Sequence, residues 1–235
     1  MRFVIALVIS FALVWLCAKP LKKYPVPFYL GAIVLVGLYF WGSATGVRNE
    51  VWPYFQPLMQ RCALAFLLFS IVMFVGVLGE KNPLRTHLMP IRRQLSILAC
   101  IFAVGHIVFY GASYIPRLTT AFTGNLAFSL SLAALITALM IVLCVTSFQV
   151  VKHAMHAVTW KRVQRLAYLF YVLTYVHLAL LLMPSAMVGN DVAVLSIVVY
   201  SVIMGAYVVL RTAKALRDRD ADANAPDLDL ETVAA

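Results

Sequence analysis

Acidic side chains are scarce in this chain: 9 Asp and Glu stand against 19 Lys and Arg among 235 residues. Charge of either sign is scarce as well, at 12% of residues, too little to clothe a soluble domain of this size. Cysteine occurs four times, at Cys17, Cys62, Cys100 and Cys144. No two form a Cys-x-x-Cys pair, so neither a disulfide framework, a zinc site nor a covalent Cys-x-x-Cys-His haem attachment is encoded. The four read as small apolar core residues. No glycine-rich loop follows a strand pattern, which leaves no nucleotide-binding fingerprint. No internal repeat and no low-complexity stretch is present.

What the chain has instead is apolar length. Hydrophobic residues make up 63% of it, and the mean hydropathy is +0.93. Crossing a bilayer takes roughly 20 apolar helical residues. Seven stretches qualify, at about 2–18, 27–46, 58–79, 95–113, 126–147, 166–184 and 192–210. They predict an all-α integral membrane protein of about seven transmembrane helices. Residues 1–57 would hold two N-terminal spans, 58–184 the central bundle, 185–211 a last span, and 212–235 a tail. That tail, TAKALRDRDADANAPDLDLETVAA from Thr212 on, has little to bury and reads as a frayed helix end followed by disorder.

The net charge of +10 points away from nucleic acid once its distribution is read. Lys19, Lys22 and Lys23 follow the first span, and Lys81, Arg85, Arg92 and Arg93 the third. Lys152, Lys161, Arg162 and Arg165 follow the fifth, and Arg211, Lys214, Arg217 and Arg219 the seventh. The intervening loops hold only Arg48 with Glu50, Arg117 and Asp191. By the positive-inside rule the amino terminus is outside and the carboxyl terminus inside, in a bacterial cytoplasmic membrane. The first stretch also fits a signal peptide, but AKPLKKYP after it lacks a small-x-small cleavage pattern. An uncleaved helix is expected.

Imidazole is costly in hydrocarbon, so a histidine inside a span is a functional hypothesis by default. His106 lies in SILACIFAVGHIVFYGAS and His177 in AYLFYVLTYVHLALLLM, on two spans expected to run in the same direction. His106 is 13 residues past Arg93 and His177 is 12 past Arg165, which sets both about 18–20 Å from the same membrane edge. Two imidazoles at matched depth on separate helices are what a six-coordinate haem iron requires, one axial nitrogen from each side. The plainer alternative is that each hydrogen-bonds a neighbouring helix. Zinc would need further ligands, and no Cys, Asp or Glu lies near that depth. A proton relay would need a carboxylate that the spans lack. His87, His153 and His156 fall in basic loops and read as solvated, with a haem propionate, a flavin or a second haem as the functional alternatives.

The segment IRRQLSILACIFAVGH resembles the first ligand helix of the ferric reductase-like transmembrane domain family, which carries a basic residue 14 positions before the haem histidine, here Arg92 and His106. The segment VTSFQVVKHAMHAVTWKRVQRLAYLFYVLTYVH is similar to that family's loop and second ligand helix, at Thr146, Ser147, Trp160, Arg165, Leu166, Tyr168 and His177. The likeness covers about residues 58–184 and is nearest to the MsrQ-like haem-binding membrane subunits. It implies a four- to six-helix bundle holding haem b between His106 and His177. Arg92, Trp160, Gln164, His153 and His156 would then line the cofactor region.

Members of that family that stack two haems have a histidine where this chain has Gln164. Amide is a poor iron ligand beside imidazole, so one haem is expected, or a second held by His153 or His156. Helical spacing agrees with the outer site only. Fourteen residues advance about 1,400°, within roughly 40° of four turns, whereas thirteen fall about 140° short. Arg92 and His106 therefore share a face, and Gln164 and His177 do not on an ideal helix.

The resemblance implies an electron-transfer subunit rather than a complete enzyme. Nothing after the last span reads as an FAD or NADPH domain, so the donor would be a separate cytoplasmic flavin reductase, with FMN or a quinone bridging to haem. The acceptor would be an extracytoplasmic molybdoenzyme or ferric iron. The competing reading is a non-haem membrane transporter or assembly factor. The alternating basic loops predict that a reporter fused after Arg219 is active only in the cytoplasm and one at Asn190 only outside. Cytoplasmic activity at Asn190 would overturn the orientation.

Overall fold

The computed structural model describes residues 2–47, 49–115 and 124–223. Arg48, Arg117 and the tail beyond residue 223, expected to be disordered, lie outside them. Among the described residues every regular element is helical. They are α1 (Arg2–Leu16), α2 (Ala18–Lys23), α3 (Pro25–Thr45), α4 (Trp52–Gln60), α5 (Ala63–Val77), α6 (Pro83–Leu88), α7 (Arg92–Tyr114), α8 (Gly124–Val145), α9 (Gln149–Ala154), α10 (Ala157–Met187) and α11 (Asp191–Ala223). A 3₁₀ turn, Met89–Ile91, joins α6 to α7.

The helix ends follow local chemistry. Proline opens α3, α4 and α6, where its missing N–H costs nothing. The Asn82 side chain accepts from Leu84 N–H at 2.9 Å at the start of α6. Asn190 accepts from Val192 and Ala193 N–H at 3.1 Å at the start of α11. Gly46 closes α3 at φ +68°, a left-handed position that suits glycine.

Five helices are long and apolar enough to cross a membrane: α3, the run Pro83–Tyr114, α8, α10 and most of α11. The pair α4 and α5 makes a sixth if read as one broken span, bent by 62°. The first expected span is α1, only 15 residues long. The third departs most from expectation, since the sequence suggested one straight helix from residue 58. The chain instead enters helix at Trp52, stops at Gln60 and restarts at Ala63. Pro57 removes one backbone donor inside α4, and Cys62 turns the chain through φ +55°. A residue with a Cβ pays about 1–2 kcal/mol for that conformation. At the other end of the chain, α11 continues as helix past the expected membrane edge to Ala223.

α5 is the axis of the bundle. Ala63, Ala65, Phe66, Leu68, Ile71, Val72, Met73 and Val75 are all buried, covering every side of the helix. It packs against α1, α4, α7 and α11, while α3 lies on α7, α8 on α10, and α10 on α11. One apolar cluster joins α3, α5, α7 and α8 through Tyr39, Leu68, Leu95, Phe102 and Met140. A second joins α5, α10 and α11 through Phe66, Tyr171, Tyr200 and Tyr207. A buried polar chain runs through it: Tyr171 O–H donates to Ser70 Oγ at 2.8 Å, and Ser70 donates to the Phe66 carbonyl at 2.7 Å. The outward faces are apolar instead, with Leu30 and Val34 on α3, Phe128 and Ile141 on α8, and Val202 and Val209 on α11 exposed. Lipid is the solvent that such faces fit.

The end of α5 is closed by basic residues of the flanking segments. Lys214 donates to the Gly76 carbonyl at 3.1 Å and Arg85 to that of Leu78 at 2.8 Å, at the end where cations suit helix carbonyls. His87 is not a solvated loop residue. Its ring stacks on Trp15 at 4.1 Å, and its Nε2 bonds the Trp15 carbonyl at 2.9 Å, which the end of α1 leaves free.

Two substitutions test this packing. A Cβ on Gly105 would sit 2.7 and 2.9 Å from the Val36 methyls, so Gly105→Ala should cost about 1–3 kcal/mol by overpacking. Gly37→Ala, which meets nothing within 4 Å, should not. Cys62→Gly should be neutral or stabilising, whereas the β-branched Cys62→Val should destabilise, because of the positive φ. Thermal unfolding in detergent reads all four, and equal midpoints for the glycine and valine variants would refute the left-handed turn.

Candidate functional site

α7 and α10 carry the two intramembrane histidines, and they make little direct backbone contact with each other. α7 is held by α3 and α5, and α10 by α8 and α11. His106 Nδ1 lies 2.9 Å from the Gln60 carbonyl, the last residue of α4. His177 Nδ1 lies 3.1 Å from the Ser129 carbonyl on α8. A carbonyl only accepts, so each Nδ1 carries the proton and each Nε2 keeps its lone pair. Orientation of a metal-binding imidazole by a hydrogen bond from its other nitrogen is the usual arrangement at haem and metal sites. Both rings are half-buried.

The break in the third span explains how His106 gets its partner. In an unbroken helix the Gln60 carbonyl would accept from an amide one turn on; ending α4 there leaves it open. Tyr110, one turn beyond His106 on α7, packs its ring 4.7 Å from the imidazole. For His177 the partner comes from register. α8 and α10 run antiparallel, with Asn125 donating to the Leu180 carbonyl at 2.9 Å and His177 facing Ser129. Both helices also reach the broken third span: His106 meets Gln60, just before α5, and Tyr171, six residues before His177 on α10, meets Ser70.

The remaining expected residues fall into two groups. At the opposite end of the same helices, Trp160 N–H donates to the Thr146 carbonyl and Gln164 Nε2 to the Thr146 hydroxyl, both at 2.9 Å. Gln164 and Trp160 share with Arg92 the wall of a cavity of about 380 Å³ between α5, α7, α8 and α10. Arg93, Gln94, Ser96, Ser147, Gln149 and Lys152 are the other polar residues of its wall, with Lys152 Nζ 4.9 Å over the Trp160 ring. His153 and His156 are exposed and do not line that wall. Among the described residues no three His, Cys, Asp or Glu side chains gather as a metal cluster; a bis-imidazole site asks for two.

The sequence pattern did not single out Gln60, Ser129 or Gln94, and it marked Thr146 without its role as acceptor for Trp160 and Gln164. Pro57 and Arg61, both out of place in an apolar stretch, were the available signal for the break. The carbonyls of Gln60 and Ser129 had none, since a backbone acceptor leaves no mark in the side-chain pattern.

No protein family model matches this chain. A protein of Treponema pallidum (strain Nichols), described only as an uncharacterized protein, is 39% identical to it over 226 residues, covering 93% of this chain and 62% of the relative. The chain thus spans less than two thirds of the length of the relative it matches.

Proposed function

We propose that this protein is a haem b electron-transfer subunit of a bacterial cytoplasmic membrane, with His106 and His177 as the axial ligands of one haem. The observation that carries the reading is the pair of intramembrane imidazoles on different helices, each with Nδ1 spent on a backbone carbonyl and Nε2 left as a ligand. The donor set fits a bis-imidazole haem, and the thin contact between α7 and α10 leaves the two helices free to face each other across it. Bound there, haem supplies reversible one-electron chemistry. The residues supply the rest. The Gln60 and Ser129 carbonyls hold the rings in one tautomer and raise their basicity as ligands. The apolar helices around them keep water out and lower the dielectric, which tunes the potential.

The orientation with the amino terminus outside is part of the same reading, as is the seven-span count with α1 as the first. Electrons would enter from a cytoplasmic flavin reductase or a quinol and leave to a molybdoenzyme or ferric iron outside. The bacterial source of the relative agrees with the proposed membrane. The broken α4–α5 span supports a second reading, since transporters build sites at discontinuous helices near the bilayer midplane. In this chain the carbonyl freed at the break goes to His106, which favours the first.

A spectrum separates the two. The purified protein should show a low-spin Soret band, and a pyridine haemochrome assay should give about one haem per chain, extractable because no covalent attachment motif exists. His106→Ala or His177→Ala should convert it to high-spin or abolish binding, while Gln164→Ala leaves it unchanged. Were the two histidines only interhelical hydrogen-bond partners, each alanine would cost about 0.6–2 kcal/mol and leave any haem spectrum alone.

A further inference from the structure

Far from the histidines, at the basic end of the bundle, the 380 Å³ cavity has features that its neighbours do not explain. Arg92, Arg93 and Lys152 stand around it, and no Asp or Glu lines it. Among the described residues the one ion pair is Arg85 with Glu80 at 3.6 Å, outside this wall. Three cations therefore meet at one cavity with no carboxylate to balance them. Gln94 lines the same space, is 6% exposed, and its Oε1 has no hydrogen-bond partner. A buried acceptor left without a donor costs about 1–3 kcal/mol. The cavity thus asks for an anion and for a hydrogen-bond donor beside it.

A second hollow explains what else the ligand carries. It measures about 510 Å³ and lies between α3 and α7, with Ile33, Val36, Ile101 and Val104 in its almost wholly apolar wall. Cys100 and Cys144 line both spaces, so the two adjoin along the seam between α7 and α8. Trp160, an indole of the kind that settles at membrane interfaces, marks the level of the cationic chamber. From Arg92 to Cys100 the chamber is about 12 Å deep along α7. One molecule that is anionic at the membrane edge, bears a hydroxyl, and is long and apolar below it would satisfy both.

We infer that the seam between α7 and α8 is a binding site for an anionic, hydroxyl-bearing phospholipid, phosphatidylglycerol by its chemistry. Arg92, Arg93 and Lys152 hold the phosphodiester, Gln94 Oε1 accepts from a glycerol hydroxyl, and an acyl chain fills the apolar groove. Basic pockets between transmembrane helices at a membrane edge take such headgroups. The site is separate from the histidine pair and does not rest on haem.

The full-length chain, purified in mild detergent, should retain phosphatidylglycerol at a ratio near one per chain, enriched over its share of the source membrane by mass spectrometry of extracted lipid. Each rim cation removed, by Arg93→Gln or Lys152→Gln, should weaken retention about fivefold. Both side chains reach the surface, so these variants keep the fold. Gln94→Met should abolish the preference for phosphatidylglycerol over phosphatidylmethanol, a phosphodiester of the same charge that lacks the hydroxyl. In phosphatidylcholine nanodiscs, added phosphatidylglycerol should raise the unfolding temperature, and inorganic phosphate or FMN should not. Lipid recovered in bulk proportion, or retained equally by the rim variants, would overturn the proposal. So would FMN raising the unfolding temperature in place of the lipid.

Discussion

Hydrocarbon offers no hydrogen bonds, so each backbone group and each polar side chain in the spans must find its partner inside the protein. That constraint organises the whole molecule. Where α4 stops at Gln60, the freed carbonyl is taken by His106. Where α5 stops, the carbonyls of Gly76 and Leu78 are taken by Lys214 and Arg85. Where α1 stops, Trp15 is met by His87. Helix ends thus serve as the fixed points to which side chains from distant segments attach. They tie the basic loops to the bundle more firmly than surface ion pairs could.

The same rule gives the histidines their character. An imidazole that donates through Nδ1 to a carbonyl satisfies one nitrogen and leaves a lone pair on the other, aimed away from the helix that accepts. Each ring thus keeps one nitrogen free after bonding a neighbouring segment, and the two stand on helices with little contact between them. The bonds themselves are those of the plainer alternative, each histidine tied to a neighbouring helix, α7 to the α4–α5 break and α10 to α8.

At the other end of α7 and α10 the accounting differs. Gln164 and Trp160 are bound to Thr146 and so committed to the protein. Arg92, Arg93 and the Gln94 amide oxygen are not. The amide of Gln164 is already engaged with a threonine. The chamber beside it is left cationic and apolar in layers, as the edge of a bilayer is.

Much of the membrane architecture was legible from the order of residues. Five of the seven apolar stretches became helices long enough to cross a membrane, and a sixth a bent pair, because roughly 20 hydrophobic residues can bury their backbone in lipid only as helix. His106 and His177 stood out for the same reason, as polar groups where none is tolerated without purpose. Tertiary structure decided what those residues meet. The left-handed turn at Cys62 splits a stretch that reads as continuous, since one backbone torsion in a uniformly apolar run has no compositional signature. The pairing of His106 with Gln60 and of His177 with Ser129 depends on helix register across 46 and 48 residues of chain. The isolation of Gln94 among three cations likewise arises only when α5, α7, α8 and α10 close around a common space. Sequence sets which groups must be satisfied; packing alone decides which are.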